Sequence, residues 1–245
     1  MILGSSRARL AEPSFLRKLT GHLGFNAAVR SGDAADAWVI VRSIADRFPR
    51  GAPKYLWFVD TVIASDGVHP ALASDPRARR YLDARDQATV ARCRPSSTYR
   101  HDGSVAQASN RSAERRAKLV AASVARLVAQ IDAHPPHPRT VTPSSYFERT
   151  LTFMNDHGVR PVLVLNPIYP RVLAELEKFG FPGRAAAYAY LNALRRRLDF
   201  VLVDCQNIGV WGGSPDDFDD ATHVNRANMR RMLGYIVRHS DGVLH

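Results

Sequence analysis

Five short apolar runs alternate with helical stretches along this sequence of 245 residues, and that alternation limits the folds open to it. Short buried runs separated by helices are typical of parallel strands in a sheet that is covered on both faces. The runs are residues 1–4, 24–29, 54–60, 160–165 and 199–204. The sequence therefore predicts a single α/β domain, residues 1–245, with a three-layer α/β/α architecture around a five-stranded parallel sheet.

The predicted helices lie between and after these runs. They cover residues 13–21, 33–47, 146–157, 170–179, 183–198 and 225–239. The last helix has a continuous apolar face, which predicts that it packs against the sheet. That face is formed by Met229, Met232, Leu233, Ile236 and Val237.

The stretch 61–143 is much longer than the dozen or so residues that a crossover between parallel strands needs. We therefore expect an inserted helical region after the third strand. Helical patterns cover residues 75–92 and 113–131, and a polar, serine-rich segment separates them. Two roles fit this insertion: a partial lid over the site, which we favour, or padding at the edge of the sheet.

The formal net charge is +11, and arginines cluster at residues 77–80, 111–116 and 195–197. Such a surface attracts polyanions such as nucleic acids or anionic lipids. The sequence contains no helix-turn-helix, zinc module or aromatic–basic strand pattern, so nucleic acid is not an expected partner. Arginines on solvated faces account for the same charge without any partner.

No apolar run approaches the roughly 18 residues that a membrane span needs, and the pattern of a signal peptide is absent. The sequence as given predicts a cytoplasmic location. Association with a membrane or with the cell envelope is expected only through a leader or anchor that precedes residue 1.

Cysteine and histidine spacing indicates neither disulfides nor a metal site. The two cysteines, Cys93 and Cys205, are expected to be free thiols. His134 and His137 are separated by prolines, which mark a linker rather than a helix that carries metal ligands. We therefore predict no bound metal.

The chemically informative residues lie near the two ends of the chain. Ser6 follows the first predicted strand, so it would lie where a strand turns into a helix at the carboxyl edge of the sheet. Asp220 and His223 precede the last helix, and their i, i+3 spacing predicts one face of a helical turn. A serine becomes nucleophilic when an imidazole takes its proton, and a carboxylate orients that imidazole. In the simpler alternative, Ser6 is turn material and Asp220 caps the final helix.

These residues resemble the motifs of the SGNH hydrolases, also called the GDSL esterase family, and the resemblance spans nearly the whole chain. The block 4–8, Gly-Ser-Ser-Arg-Ala, is similar to the first family block with Ser5 in the aspartate position. The block 220–223, Asp-Ala-Thr-His, is similar to the last. The resemblance implies an SGNH/flavodoxin-like fold with Ser6 as nucleophile, His223 as base and Asp220 as the orienting carboxylate.

The two middle blocks of the family are matched less well. Residues 25–32 resemble the second block, which implies that the amides of Gly32 and Ser6 form the oxyanion hole. The third block, normally G-x-N-D, is missing, because the strand that should precede it ends in Asp60. After the fourth strand, Asn166 and Tyr169 are candidate substrate contacts, although the neighbouring prolines make them equally suitable as turn residues.

The resemblance implies a serine-dependent ester hydrolase or O-acyltransferase that needs no cofactor. Its substrate would be a small-molecule or glycan ester, with carbohydrate and cell-envelope esters among the candidates. The alternative is a non-catalytic domain of the same fold that binds a glycan or a partner protein, which Asp60 in place of asparagine supports. A flavodoxin-like nucleotide binder is disfavoured, because the first turn lacks the glycine-rich phosphate-binding patterns.

Overall fold

The computed structural model describes residues 1–49, 51, 53–60, 68–84, 100–105, 112–137 and 144–245. Within these residues an all-parallel sheet has four strands in the order β1-β2-β3-β4. The strands are Ile2–Leu3 (β1), Leu56–Val59 (β2), Val162–Leu165 (β3) and Val201–Asp204 (β4). The predicted α/β class and the parallel arrangement are therefore confirmed.

The predicted fifth strand, residues 24–29, is not a strand, and the count of five must be corrected. In this segment only Asn26 forms a bridge, which is parallel and pairs with Ile2. The backbone nevertheless follows β1: the Ala27 amide donates to the Ile2 carbonyl at 2.9 Å, and the Val29 amide donates to Gly4 at 2.9 Å. Because β1 has only two residues, it is too short to template a full ladder along this segment.

Helices bury both faces of the sheet because alternate residues of each strand are apolar on both sides. One face packs against helices Ala34–Arg47 (α2), Ser145–Asp156 (α6) and Pro182–Leu194 (α8). The strand residues on this face are Leu3, Trp57, Leu163 and Leu165. The other face packs against helices Ala113–Ala133 (α5), Pro170–Lys178 (α7) and Arg226–Arg238 (α9). The strand residues on that face are Ile2, Leu56, Phe58, Val162, Val164, Val201 and Val203. Helix α1 spans Pro13–Thr20.

Most predicted helices are present with ends that differ by one or two residues from the prediction. Helix α8 differs more: it ends at Leu194, four residues before the predicted end at residue 198. The predicted apolar face of α9 is confirmed, since its five apolar members are all buried: Met229, Met232, Leu233, Ile236 and Val237.

The insertion contains two short helices, α3 Pro70–Ser74 and α4 Pro76–Arg79, and one long helix, α5 Ala113–Ala133. The predicted helix 75–92 is thus broken after α4 and its continuation from residue 85 lies outside the described residues, as does most of the segment 93–110. Val120 and Val124 of α5 are buried in the core that also contains α9. This helix therefore covers a face of the sheet. No helix of the described residues is both long and apolar enough to cross a bilayer.

Candidate active site

Ser6 lies directly after β1 at the carboxyl edge of the sheet, in a 3-10 turn that spans Ser6–Ala8. Gly4 makes this exit possible. Its φ is +142°, and a Cβ there would lie only 2.9 Å from the Phe58 carbonyl oxygen and 3.0 Å from the Phe58 Cβ on the neighbouring strand. Ser5 then caps the turn by accepting a hydrogen bond from the Arg7 amide at 3.4 Å.

The three residues predicted to carry the chemistry lie in one chain of hydrogen bonds. Ser6 Oγ is 2.9 Å from His223 Nε2. On the other side of the ring, His223 Nδ1 is 2.8 Å from Asp220 Oδ2 and 3.0 Å from Oδ1. This arrangement favours the tautomer in which Nδ1–H donates to the carboxylate, which leaves the Nε2 lone pair facing the serine hydroxyl.

Asp220 is held as a carboxylate by several donors. Its Oδ1 accepts from the Thr222 amide at 2.8 Å, the Thr222 hydroxyl at 2.9 Å and the His223 amide at 2.9 Å. Burial alone would raise the pKa of Asp220, but the hydrogen bonds from His223 and Thr222 outweigh it and hold that pKa well below its usual range. The carboxylate is therefore ionised at neutral pH, and its negative charge stabilises a positive charge on the ring.

Asp220 and His223 lie in a tight loop, which corrects the predicted helical turn. A bridge between Phe218 and Val224 closes this loop, and the Asp219 amide donates to the His223 carbonyl at 2.8 Å. The cap of α9 is Asn225, whose side chain accepts from the first amides of that helix. Asp220 is thus not the helix cap that the simpler alternative required.

Helix α5 supports this loop from the inserted region. The Ala221 amide donates to Ser123 Oγ at 2.8 Å, and Ser123 Oγ donates to the Val120 carbonyl at 2.9 Å. Ala221 is itself almost completely buried. The long insertion helix therefore positions the loop that carries Asp220 and His223. Much of the segment 61–143 that was predicted as a lid lies outside the described residues, so the lid stays a prediction.

Arg7 is the site residue that the sequence reasoning missed. Its Nη1 donates to Asp60 Oδ1, its Nη2 to the Pro167 carbonyl, and its Nε to the Thr222 carbonyl at 3.1 Å. It thereby connects the loops that follow β1, β2 and β3 with the loop of Asp220. A signal was present in the sequence: an arginine follows Ser6, and an acid replaces the expected asparagine at position 60.

The two predicted substrate contacts have structural partners. Asn166 is buried, and its Nδ2 donates to the Val59 carbonyl at 3.1 Å and to Asp60 Oδ1 at 3.1 Å. Its Oδ1 has no hydrogen-bond partner among the described residues. The Tyr169 ring packs edge-on against Phe218 at 5.3 Å between centroids. Asn166 therefore anchors Asp60, and Tyr169 packs beneath the loop of Asp220.

Gly32 is placed differently from the oxyanion donor that the resemblance implied. Its amide donates to the Val29 carbonyl at 2.9 Å and closes a turn in which Ser31 has φ +53°. A Cβ at Gly32 would lie 2.9 Å from that same carbonyl oxygen, so the turn itself requires glycine. The amide of Ser6, in contrast, donates to no acceptor within the described ranges of the chain.

The remaining reactive side chains of the described residues form no second site. Cys205 is a free, completely buried thiol whose pKa is raised by burial, and Cys93 lies outside the described residues. Among the residues that the structure describes, no group of three or more histidine, cysteine, aspartate or glutamate side chains could hold a metal ion.

The sequence matches no protein-family model and no curated protein. A fold alone does not define a function, so the role of this site has to be argued from its chemistry. The geometry combines a hydroxyl, a ring nitrogen that faces it and a fixed carboxylate, with an arginine–aspartate pair beside them.

Proposed function

We propose that this chain is a serine-dependent ester hydrolase or O-acyltransferase of the SGNH type. The observation that carries the proposal is the continuous hydrogen-bond chain from Ser6 Oγ through both ring nitrogens of His223 to Asp220. This is the arrangement that acyl transfer through a serine requires. Ser6 and His223 are 217 positions apart in the sequence, so local chain geometry does not account for their contact.

In the proposed reaction, His223 Nε2 accepts the hydroxyl proton while Ser6 Oγ attacks the ester carbonyl carbon. The tetrahedral intermediate then expels the alcohol, which takes the proton from Nε2, and the acyl group remains on Ser6. Water or an acceptor hydroxyl repeats the attack in the second half and releases the acyl group. Asp220 stabilises the imidazolium in both halves. This chemistry needs no metal or organic cofactor.

The charge that develops on the carbonyl oxygen needs donors that are already in position. The proposal assigns the Ser6 amide as the first donor. The Gly32 amide would be the second donor only if it gives up its hydrogen bond to the Val29 carbonyl and donates to the substrate oxygen instead. Arg7 matters here because it neutralises Asp60, so the acid at this position adds little negative charge beside the reacting centre.

The same oxyanion geometry favours a second candidate, a non-catalytic domain of this fold that binds a glycan or a partner protein. With the Gly32 amide occupied, the described residues offer only the Ser6 amide at the position where two donors are typical. The two candidates differ in one property: a binding domain has no need of a nucleophilic serine.

Labelling with a fluorophosphonate, followed by mass spectrometry of the intact chain, tests the proposal. We expect one adduct on the wild type and none on Ser6→Ala. Ser5→Ala is the matched control, because it removes a neighbouring hydroxyl and should still label. Thermal unfolding of both variants shows whether the fold is retained. A wild type that stays unlabelled, or a Ser6→Ala variant that still labels, would overturn the proposal and favour the binding domain.

A further inference from the structure

The edge of the sheet opposite Ser6, where the strands begin, carries exposed apolar side chains. Three of the four most exposed large hydrophobic residues in the described part of the chain lie here: Leu23 is 82% exposed, Phe48 58% and Phe25 43%. Leu23 and Phe25 follow the end of α1, and Phe48 follows the end of α2. Single exposed apolar residues are ordinary, but a cluster of them marks an interaction surface.

Shared neighbours show that these side chains belong to one surface. Leu23 and Lys54 line an open cavity of about 280 Å³ together with Met1. Phe25 lines an adjoining cavity of about 540 Å³, which also reaches Met1. Phe48 lines a third cavity, of about 490 Å³, which shares Pro53 with the first cavity and Asp46 with the second. The Met1 amino group donates to the Lys54 carbonyl at 2.7 Å, which holds the first two cavities side by side.

Cations lie in the last turns of the two helices that this apolar cluster follows, and Arg47 lines the same cavity as Phe25. Arg17 and Lys18 lie in the last turn of α1, and Arg47 lies in the last turn of α2. All three are exposed, and none forms an ion pair with another described residue. The two acids that line the cavity of Phe25 and Arg47 are both engaged. Asp46 Oδ2 accepts from Arg80 at 3.0 Å and from the Tyr81 hydroxyl at 2.6 Å, and Asp75 pairs with Arg77 at 3.2 Å.

We propose that this basal surface, formed by Arg17, Lys18, Leu23, Phe25, Arg47 and Phe48, binds an anionic lipid bilayer. Apolar side chains that enter the interface, flanked by cations that face lipid phosphates, are the two contributions that peripheral membrane binding requires. A second copy of the chain is disfavoured because it would bring like charges together. A nucleic acid is disfavoured because it would offer the exposed Leu23 no apolar environment. The bilayer satisfies both the charge and the apolar cluster.

This orientation places Ser6 at the far edge of the sheet, directed away from the lipid surface. The inference goes beyond the proposed esterase activity and does not depend on it. Membrane binding through this surface would concentrate the protein at an interface, whatever reaction or ligand the opposite edge serves.

Sedimentation with vesicles of phosphatidylcholine and phosphatidylglycerol tests the proposal on the whole chain. We expect the wild type to bind the mixed vesicles, to ignore pure phosphatidylcholine and to be released by salt. Arg17→Gln with Lys18→Gln should lower the partition coefficient about 25-fold, at about fivefold for each cation. The matched control, Arg115→Gln with Arg126→Gln on α5, removes equal charge elsewhere and should change binding less than twofold.

The apolar contribution needs its own pair of variants. Leu23→Ser with Phe48→Ser should lower partitioning at least about tenfold. The matched control, Leu119→Ser with Val210→Ser, removes two other exposed apolar side chains and should leave binding unchanged. Melting temperatures of all four double variants show whether the fold is retained.

A fluorescence measurement locates the contact directly. The chain has three tryptophans, and all are buried, so a tryptophan introduced at position 23 dominates any response to lipid. Leu23→Trp should shift its emission to the blue with anionic vesicles and be quenched by brominated lipid, whereas Leu119→Trp should not. Equal responses at the two positions would overturn the proposal, and so would an equal loss of binding in variants and controls. It would also be overturned if the wild type is a dimer and Leu23→Ser makes it monomeric.

Discussion

Replacing Arg7 by methionine should weaken both the fold and the reaction, because one guanidinium connects four loops at the site. Methionine keeps the length and the apolar stem of the side chain, so the change isolates the hydrogen bonds. The variant loses the pair with Asp60 and the two bonds to the carbonyls of Pro167 and Thr222.

The size of the effect follows from exposure. The Arg7 side chain is 18% exposed and that of Asp60 is 40% exposed, so their ion pair contributes only about 1 kcal/mol. Each bond from the cation to a partly buried carbonyl adds roughly 1–1.5 kcal/mol. We therefore expect a loss of about 3–4 kcal/mol in the free energy of unfolding, which corresponds to a melting temperature lower by about 6–16 °C.

The substitution should also lower kcat/KM strongly. Arg7 donates to the carbonyl of Thr222, and Thr222 lies between Asp220 and His223, so losing this bond should displace both side chains. A displacement of about 1 Å in a catalytic group costs about 100-fold in rate. The assay is kcat/KM on a short-chain aryl ester, measured at a temperature at which both proteins are folded.

A double-mutant cycle with Asp60→Asn then separates the ion pair from the carbonyl bonds. We expect a coupling energy of about 1 kcal/mol between positions 7 and 60. If Arg7→Met melts within about 1 °C of the wild type and retains its rate, Arg7 does not hold the site together.

Three further outcomes are expected. Asp220→Asn should lower kcat by about 10³–10⁴, since the ring loses its preferred tautomer; a loss below tenfold would assign the orienting role to another group. Ser123→Ala should lower kcat/KM about tenfold by freeing the Ala221 amide, and Ser123→Thr should restore it, as steady-state kinetics would show. Burial raises the pKa of Asp36 to about 7, above its unfolded value, so its protonated form is favoured by folding. Its stabilising contribution is full below about pH 4 and is lost as the pH rises through 7; urea unfolding should show a decline of a few kcal/mol from pH 4 to pH 8 that Asp36→Asn flattens.

The sequence was sufficient for the parts of the fold that depend on local pattern. Strands β2, β3 and β4 are buried apolar runs, and helices such as α9 have one apolar face, so each was recognisable from its own residues. The segment 24–29 has the same apolar character, yet it forms no strand. Whether this segment forms a strand depends on the length of its partner β1, which has only two residues. The residues of the segment itself carry no information about that length.

The same distinction holds for the site. Ser6, Asp220 and His223 were identified because short motifs carry them, and their contact is what the motifs predicted. Arg7 was missed because its importance arises only where three strand ends meet in space. Gly32 was assigned a free amide, but hydrogen bonding within a turn cannot be inferred from the residue type.

The long separation between Ser6 and His223 has a consequence for how the protein is made. Ser6 is synthesised 217 residues before His223, so its hydroxyl has no imidazole partner until that later segment has been made. The loop that carries Asp220 and His223 must be in place before the serine acquires this partner. If Ser6 is the proposed nucleophile, it becomes reactive only after residues 220–223 have joined it, and a chain interrupted before that segment carries the Ser6 motif without its partner.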